Sequence, residues 1–357
     1  MKKALIAMSG GVDSSLAAML AKELGFECVG CTMKLYENED AGVERSRGCC
    51  SADDAEDARS VAYKLGMPFY VFNFTDSFRD TVIHDFVCGY EAGVTPNPCI
   101  ECNRYMKFDK LYERAKILGC SHIVTGHYAR IEEHEGKFVL KRALDETKDQ
   151  SYVLYFLSQE QLAHTLFPLG NMKKTEVRAR ALECGFVTAD KPDSQDICFV
   201  RDGNYAKVVE LQSKRRLPEG NFVDREGNIL GRHKGIVHYT IGQRRGLGIS
   251  NSEPLYVCDI RPETDEVVLG KNEDLFGHEA DVHDFCWISG NAPQKEIRCD
   301  VKIRYRQSAR PARVIPTGED SVRIVFDEEQ RAITPGQAAV LYDGDTVLGG
   351  GTIKRKS

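Results

Sequence analysis

Lys3-Ala4-Leu5-Ile6-Ala7-Met8-Ser9-Gly10-Gly11-Val12-Asp13-Ser14-Ser15 is the stretch that decides the fold. Residues 3–8 form an apolar run of strand length, ended by the two glycines. From residue 13 the period changes: Leu16, Met19, Leu20 and Leu24 recur at helical spacing, with Gly25 as a stop. A buried strand therefore runs into a helix through a loop of small and hydroxyl residues. Such a loop suits a phosphate. Gly10 and Gly11 allow close backbone approach, the helix N-terminus offers N–H groups and partial positive charge, and Ser9, Ser14 and Ser15 add hydroxyls. No Lys follows the glycines, so this is not GxxxxGK[ST], nor does the spacing fit GxGxxG. The plain alternative is a tight turn in which Asp13 or Ser14 merely caps the helix.

Outward from this loop, strand and helix patterns alternate. Residues 27–33, 69–74 and 122–126 read as strands, and 53–65, 76–91 and 103–118 as helices. This predicts an α/β unit with a parallel, Rossmann-like sheet covered on both faces. Residues 130–143 read as a hairpin around Glu135-Gly136, followed by helices near 159–166 and 173–184. The texture changes near residue 204. Residues 218–250 are rich in Gly, and Arg225-Glu226-Gly227-Asn228 marks a hairpin. The remainder holds six short strand patterns, at 281–288, 297–306, 311–316, 321–326, 337–342 and 346–353, as in a small β-barrel or sandwich. The expected division is an α/β unit over 1–203, a small mixed α+β unit over 204–276 and a β-barrel-like unit over 277–357.

A length of 357 residues suits two or three domains, and 42% hydrophobic with 29% charged residues is ordinary globular composition. The formal net charge of −6 excludes a globally basic nucleic-acid binder but leaves room for local basic faces. Residues 298–313 carry Arg298, Lys302, Arg304, Arg306, Arg310 and Arg313 against Asp300. A strand there puts 302, 304 and 306 on one face, with Tyr305 and Tyr239 available for base stacking. Residues 214–216 and 244–245 form further basic patches; a solvated face is the alternative for each. No apolar run approaches a membrane span, and the first is too short for a signal-peptide core. The 13 cysteines sit mostly as singletons or close pairs, which suggests a reduced, cytoplasmic protein.

Two cysteine strings stand out. Thr95-Pro96-Asn97-Pro98-Cys99-Ile100-Glu101-Cys102-Asn103 begins as a stiff, proline-bound loop, and a helix from 103 places Cys102 at its N-terminus, where the dipole and Lys107 lower a thiol pKa. Asp193-Ser194-Gln195-Asp196-Ile197-Cys198-Phe199 carries a second thiol. Cys28, Cys31, Cys88, Cys120, Cys184, Cys258, Cys286 and Cys299 read as small buried hydrophobes. Cys28 and Cys31 lie three apart in a strand, on opposite faces, which argues against a shared metal. Cys49-Cys50 has no assignment.

The string 9–15 resembles the PP-loop of the ATP pyrophosphatase superfamily, SGGxDS. Together with TPNPCIECNRYMKF (95–108), GHY (126–128), TKDQSY (147–152), SQDICF (194–199) and PGQ (335–337), it makes the chain similar to the bacterial tRNA-specific 2-thiouridylase family. The resemblance implies cleavage of ATP between its α- and β-phosphates, with Mg²⁺, around Ala7, Met8, Ser9, Gly10, Gly11, Val12, Asp13, Ser14, Met33 and Gly126. It implies adenylation of O2 of the wobble uridine, position 34, of tRNAs for Lys, Glu and Gln, in which Asp13 takes part. Sulfur then arrives as a Cys198 persulfide from a relay protein or cysteine desulfurase, and Cys102 frees it, leaving a Cys102–Cys198 disulfide. Asn97, Pro98 and Cys99 would flank the flipped base. His127, Lys148, Asp149, Gln150, Arg304, Tyr305 and Gln337 match tRNA-contacting positions, and a monomer is the expected state. Many members have Asp where this chain has Cys99. Cys99, Cys102 and Cys198 make three thiols, the donor set of a [4Fe–4S] cluster with one open iron, so an iron–sulfur route stands beside the persulfide route. Two other classes compete: an ammonia-using ligase with the same loop, which leaves both cysteine strings unexplained, and an RNA-binding or sulfur-carrier protein with a decayed nucleotide site. A further reading keeps the enzyme but moves it to another RNA or uridine position.

Overall fold

The computed structural model describes residues 2–37, 52–193, 196–200, 203–213 and 217–355; Cys49-Cys50, Ser194-Gln195 and residues 214–216 fall outside them. The opening strand β1 (Lys3–Ala7) leads into helix α1 (Val12–Glu23), as its periodicity predicts. Then come β2 (Glu27–Lys34), α2 (Ala52–Lys64) and β3 (Phe69–Asn73). Further on are β4 (His122–Val124), the hairpin β5 (Ala129–His134) and β6 (Lys137–Arg142), β7 (Thr165–Leu166) and helix α3 (Lys174–Glu183). The first sheet runs β3-β2-β1-β4-β7 and all its pairings are parallel. Both faces are buried at the central strand β1. Ala4 and Ile6 of β1 join Leu16, Ala58 and Val177 in one core, while Leu5 joins Phe78, Phe86 and Leu111 in another. Cys28 lies in the first core and Cys31 in the second, so their predicted opposition is found.

The central sheet runs β10 (Tyr256–Arg261), β11 (Glu266–Gly270), β8 (Gly220–Val223), β9 (Ile229–His233), two hairpins joined by a parallel β8–β11 pairing. The last unit has β12 (Phe276–Trp287), β13 (Ile297–Lys302), β14 (Arg310–Pro316), β15 (Val322–Arg331), β16 (Ala338–Asp343) and β17 (Thr346–Ile353). Their order is β12-β15-β14-β13-β16-β17, and β17 pairs back with β12, closing an antiparallel barrel around Val282, Phe285, Val314, Ile324 and Leu341. The hairpin β5–β6 attaches to this barrel: Lys141 pairs with Thr346, and Arg130 reaches Asp345 at 2.6 Å.

Three expectations are corrected. The strand of the basic patch ends at Lys302, so 304 and 306 are not on its face; Arg304 turns inward instead. Tyr239 is buried against Phe222 and His233 and offers no stacking surface. Cys88 is exposed, with its sulfur 3.6 Å from His84 Nε2. No helix among the described residues is long and apolar enough to cross a membrane.

Candidate active site

Strand order places the site. From β1 the chain moves outward one way to β2 and β3, whereas β4 lies on β1's other side. The loops after β1 and β4 therefore diverge at a topological switch point, where an open parallel sheet leaves a crevice. They are Ser9–Gly11 and Thr125–His127. Gly10 has φ +73°, and an added Cβ would overlap the Asp54 carbonyl oxygen at the start of α2. Gly126 is tight against the same loop: a Cβ there would lie 2.8 Å from Asp13 C and Ser14 N. Gly126→Ala therefore pushes the phosphate loop away from β4. We expect its KM for ATP to rise about ten-fold or more and its stability to fall by about 1–3 kcal/mol, measured by initial rates and urea unfolding; unchanged KM would separate Gly126 from the nucleotide site.

Capping chemistry leaves the helix start open. Gly11 is the N-cap of α1 and supplies no side-chain acceptor, so neither Asp13 nor Ser14 caps it. Ser14 and Ser15 hydroxyls instead donate back to the Gly11 carbonyl, at 3.0 and 2.9 Å, and the Ser9 amide donates to Ser14 Oγ at 3.1 Å. These bonds brace the loop into a fixed curve whose leading N–H groups remain for an anion. Met8 and Val12 are buried and shape the loop from the core side. Met33 packs from β2 and Ala7 from the end of β1.

A charge network surrounds this loop, and sequence reasoning missed most of it. Lys174, at the start of α3 and only 8% exposed, donates to both Asp13 oxygens at 2.6 and 2.7 Å. It also meets Asp193 at 2.9 Å, which Lys148 and Arg178 reach at 2.8 and 2.7 Å. Tyr128 donates to Asp13 at 2.7 Å. Lys191 donates to the Gly10 carbonyl at 3.1 Å and pairs with Asp54 and Asp57. Burial opposes ionisation of Asp193, but the bonds from Lys148 and Lys174 outweigh it and hold the carboxyl at about 2. That stabilisation is present above the ordinary carboxyl pKa and is lost as pH falls towards 2. Arg178 also donates to the Ala189 and Lys191 carbonyls, both at 3.0 Å, so α3 fastens the chain leading to Cys198. The sequence shows only a lysine at a helix start, where the dipole disfavours it; its burial against Asp13 is decided by the fold.

The thiol loop differs from its sequence reading. Pro98, not Asn103, opens the helix, and Asn97 caps it by accepting the Cys99 amide at 3.2 Å. Cys102 is thus a full turn inside, where the helix widens into a π-helical segment, Cys102–Lys110. The dipole argument applies to Cys99 instead. Yet although Cys99 is exposed as a residue, neighbouring atoms hem in its thiol. That desolvation, with the charges of Cys102 and Asp196 and against Lys107, pushes it up to about 11. Cys102 from one string and Ile197 and Cys198 from the other pack against the same core cluster, so the two thiol strings, about a hundred residues apart in sequence, share one side of the sheet. The Cys198 carbonyl accepts from Tyr36 at 2.7 Å, and Phe199 is buried against Phe78 and Phe86. Cys102 and Cys198 are both partly exposed, and among the described residues no three His, Cys, Asp or Glu side chains gather as a metal-holding set. The arrangement of Cys99, Cys102 and Cys198 found here therefore does not fit a cluster.

The remaining candidates divide. Tyr305 is 39% exposed, 5.5 Å from Lys302 Nζ at its ring centre, and close enough to Cys99 and Asp149 for their charges to raise its hydroxyl after burial does so. Lys148 pairs with Asp193, as above. Asp149 is buried and accepts from the Ala143 and Ser151 amides and the Ser151 hydroxyl. Gln150 accepts from the Tyr128 amide at 3.0 Å, bracing the loop after β4. His127 is buried, and burial and Lys107 hold its pKa well below 6.5, so it is neutral. Its Nε2 lies 3.4 Å from Lys107 Nζ and accepts; Nδ1, 2.7 Å from Thr125 Oγ1, donates. Arg304 and Gln337 bond within the protein, as described below. In the basic patch, Arg298 pairs with Asp327 and Arg313 with Glu296, as on a solvated face.

A braced, anion-ready loop at the switch point of a parallel sheet, ringed by lysines, defines an ATP-using protein of the PP-loop class. Comparison with known proteins narrows the class. Models described as tRNA methyl transferase HUP domain, tRNA methyl transferase PRC-barrel domain and aminomethyltransferase beta-barrel domain match residues 2–202, 210–271 and 278–353. The chain is 52% identical over 356 residues to tRNA-specific 2-thiouridylase MnmA of Clostridioides difficile (strain 630), covering 99% of this chain and 98% of that one. It is 48% identical over 353 residues to the protein of that name from Clostridium botulinum (strain Alaska E43 / Type E3), with the same coverage. The chain belongs to the tRNA-specific 2-thiouridylase family. A solved 4-thiouridine synthetase–RNA complex with bound ATP overlays with a TM-score of 0.37 at 19% identity, covering 59% of this chain and 50% of that one.

Proposed function

We propose that this protein is an ATP-dependent tRNA sulfurtransferase that makes 2-thiouridine, at the wobble position of tRNAs for Lys, Glu and Gln. The observation that carries the reading is that Cys102 and Cys198 pack against the same core cluster as Ala7 and Met33, the residues flanking the braced phosphate loop at the ends of β1 and β2. The matching domain descriptions speak of methyl transfer, the relatives' names of thiolation. A loop built for ATP cleavage has work only in the second.

The chemistry runs in two stages. O2 of the uridine attacks the α-phosphorus, the bond to the β-phosphate oxygen breaks, and pyrophosphate leaves. The loop N–H groups and the lysines around Asp13 favour that departure by offering positive charge to the phosphates. Mg²⁺, where bound with the nucleotide, would add neutralisation of the phosphates, and Asp13 is the loop carboxylate that would hold it. In the second stage Cys198 carries a persulfide. The Cys102 thiolate attacks Cys198 Sγ, the persulfide S–S bond breaks and sulfur leaves as hydrosulfide. Hydrosulfide adds at C2 of the base and AMP departs with O2. A Cys102–Cys198 disulfide remains, to be reduced by an external thiol. No step is routed through an iron–sulfur cluster. Tyr305, 39% exposed, offers a stacking surface for the flipped base, which the family likeness would flank with Asn97 and Pro98.

The setting we propose is a cytoplasmic monomer, as the composition suggests, charged with sulfur by the relay protein or desulfurase that the family likeness implies. The test is nucleoside mass spectrometry of tRNA from a deletion strain, with AMP and pyrophosphate measured in vitro. Wobble 2-thiouridine should vanish in the strain and return with the gene. If it persists, the substrate assignment is wrong; AMP formation with no dependence on sulfur or tRNA would point to an ammonia-using ligase.

A further inference from the structure

The thiol loop is held from two sides. On one, Pro96 rests on Gly89, where a Cβ would lie 2.9 Å from Pro96 Cγ. On the other, the barrel reaches it. The Thr95 amide donates to the Pro335 carbonyl at 2.9 Å, and Gln337 Nε2 donates to the Thr95 carbonyl at 2.8 Å. Both backbone groups of Thr95 are thus satisfied by residues more than two hundred positions away. Gly336, at φ +86°, lies against the same peptide: an added Cβ would sit 3.0 Å from Thr95 N, C and O.

The barrel loop is itself anchored. The Gly336 amide donates to the Ile353 carbonyl and the Ile353 amide to the Gln337 carbonyl, both at 2.9 Å. Arg304 donates to the Ala332 and Ile241 carbonyls, at 3.1 and 3.2 Å, and to Thr334 Oγ1, tying the loop to the central unit. From Thr95 the constraint passes two residues to Asn97, whose side chain caps the helix bearing Cys99 and Cys102.

We propose that barrel residues 332–337 are a positioning element for the thiol site, acting through Gly336 and Gln337 on Thr95. Given the tRNA-thiolation reading, on which this rests, RNA seated on the barrel and the thiols are thereby held in one register. Gln337 and Gly336 then act on the rate of sulfur transfer and not on tRNA affinity. A direct phosphate contact predicts the reverse.

The test compares Gly336→Ala and Gln337→Ala with the native protein. Three quantities are read: amide exchange across residues 95–102 without tRNA, tRNA Kd with its salt dependence, and single-turnover thiolation at saturating tRNA and ATP. Exchange should quicken about ten-fold and single-turnover thiolation should fall about ten-fold, with Kd changed by less than about two-fold. Gln337→Ala leaves the positive-φ turn intact, so the test survives if Gly336→Ala does not fold. Unchanged exchange in Gln337→Ala overturns the clamp. So does a Kd weakened about ten-fold with the saturated rate retained. If the native protein thiolates no tRNA, the functional reading falls, and the exchange measurement still decides the clamp.

Discussion

Cys102→Ser and Cys198→Ser should each abolish thiolation, by about three orders of magnitude or more, while the fold survives. Serine is close in size to cysteine and both sites are only partly buried, so the stability cost is about 1 kcal/mol. The chemical cost is large because a hydroxyl neither carries a persulfide nor attacks one at neutral pH. The two variants should fail differently. Cys198→Ser accepts no sulfur from a persulfide donor. Cys102→Ser becomes charged with sulfur on Cys198 and stalls, without the inter-thiol disulfide. Intact-mass spectrometry under non-reducing conditions separates the two, alongside 2-thiouridine quantitation. Thiolation at the native rate by either variant removes that cysteine from the mechanism.

Asp13→Ala should lower AMP and pyrophosphate formation about a thousand-fold and leave tRNA affinity and its salt slope unchanged. Asp13 holds Lys174 by both oxygens and accepts from Tyr128, so its removal loosens the phosphate loop's tie to α3. Lys174 keeps Asp193 at 2.9 Å, which spares the buried ammonium from isolation and limits the loss of stability to about 1–3 kcal/mol. The measurement is pyrophosphate release in a single turnover with saturating tRNA, paired with equilibrium tRNA binding. Normal AMP release by this variant would sink the assignment of the loop. A parallel loss of tRNA binding would mean that the loop organises the RNA surface as well.

Several misreadings share a cause. The helix at Cys102 was placed to start at Asn103, though Asn97-Pro98 is a cap followed by proline at the first helical position, a signal present in the string. The basic strand expected over 297–306 ends at Lys302, where the chain turns to bring Arg304 onto the carbonyls of Ala332 and Ile241. His127 and Asp149 lie in strings with RNA associations, yet both are buried and serve as supports in this conformation.

The sequence by itself determined the parallel sheet's opening strands, the phosphate loop, the hairpin turn at Glu135-Gly136 and all six barrel strands. Each is encoded within some ten to fifteen residues by a hydrophobic period and its turn chemistry, and the motif strings were specific enough to indicate the family. Only the tertiary structure decided the rest. Strand β7 has two residues, too few to show a period. The ties from Lys174 to Asp13, from Tyr36 to the Cys198 carbonyl and from Gln337 to Thr95 each join chain segments more than a hundred residues apart. Their partners are chosen by where the sheet order and the closed barrel bring the backbone, and a one-dimensional pattern does not contain that geometry.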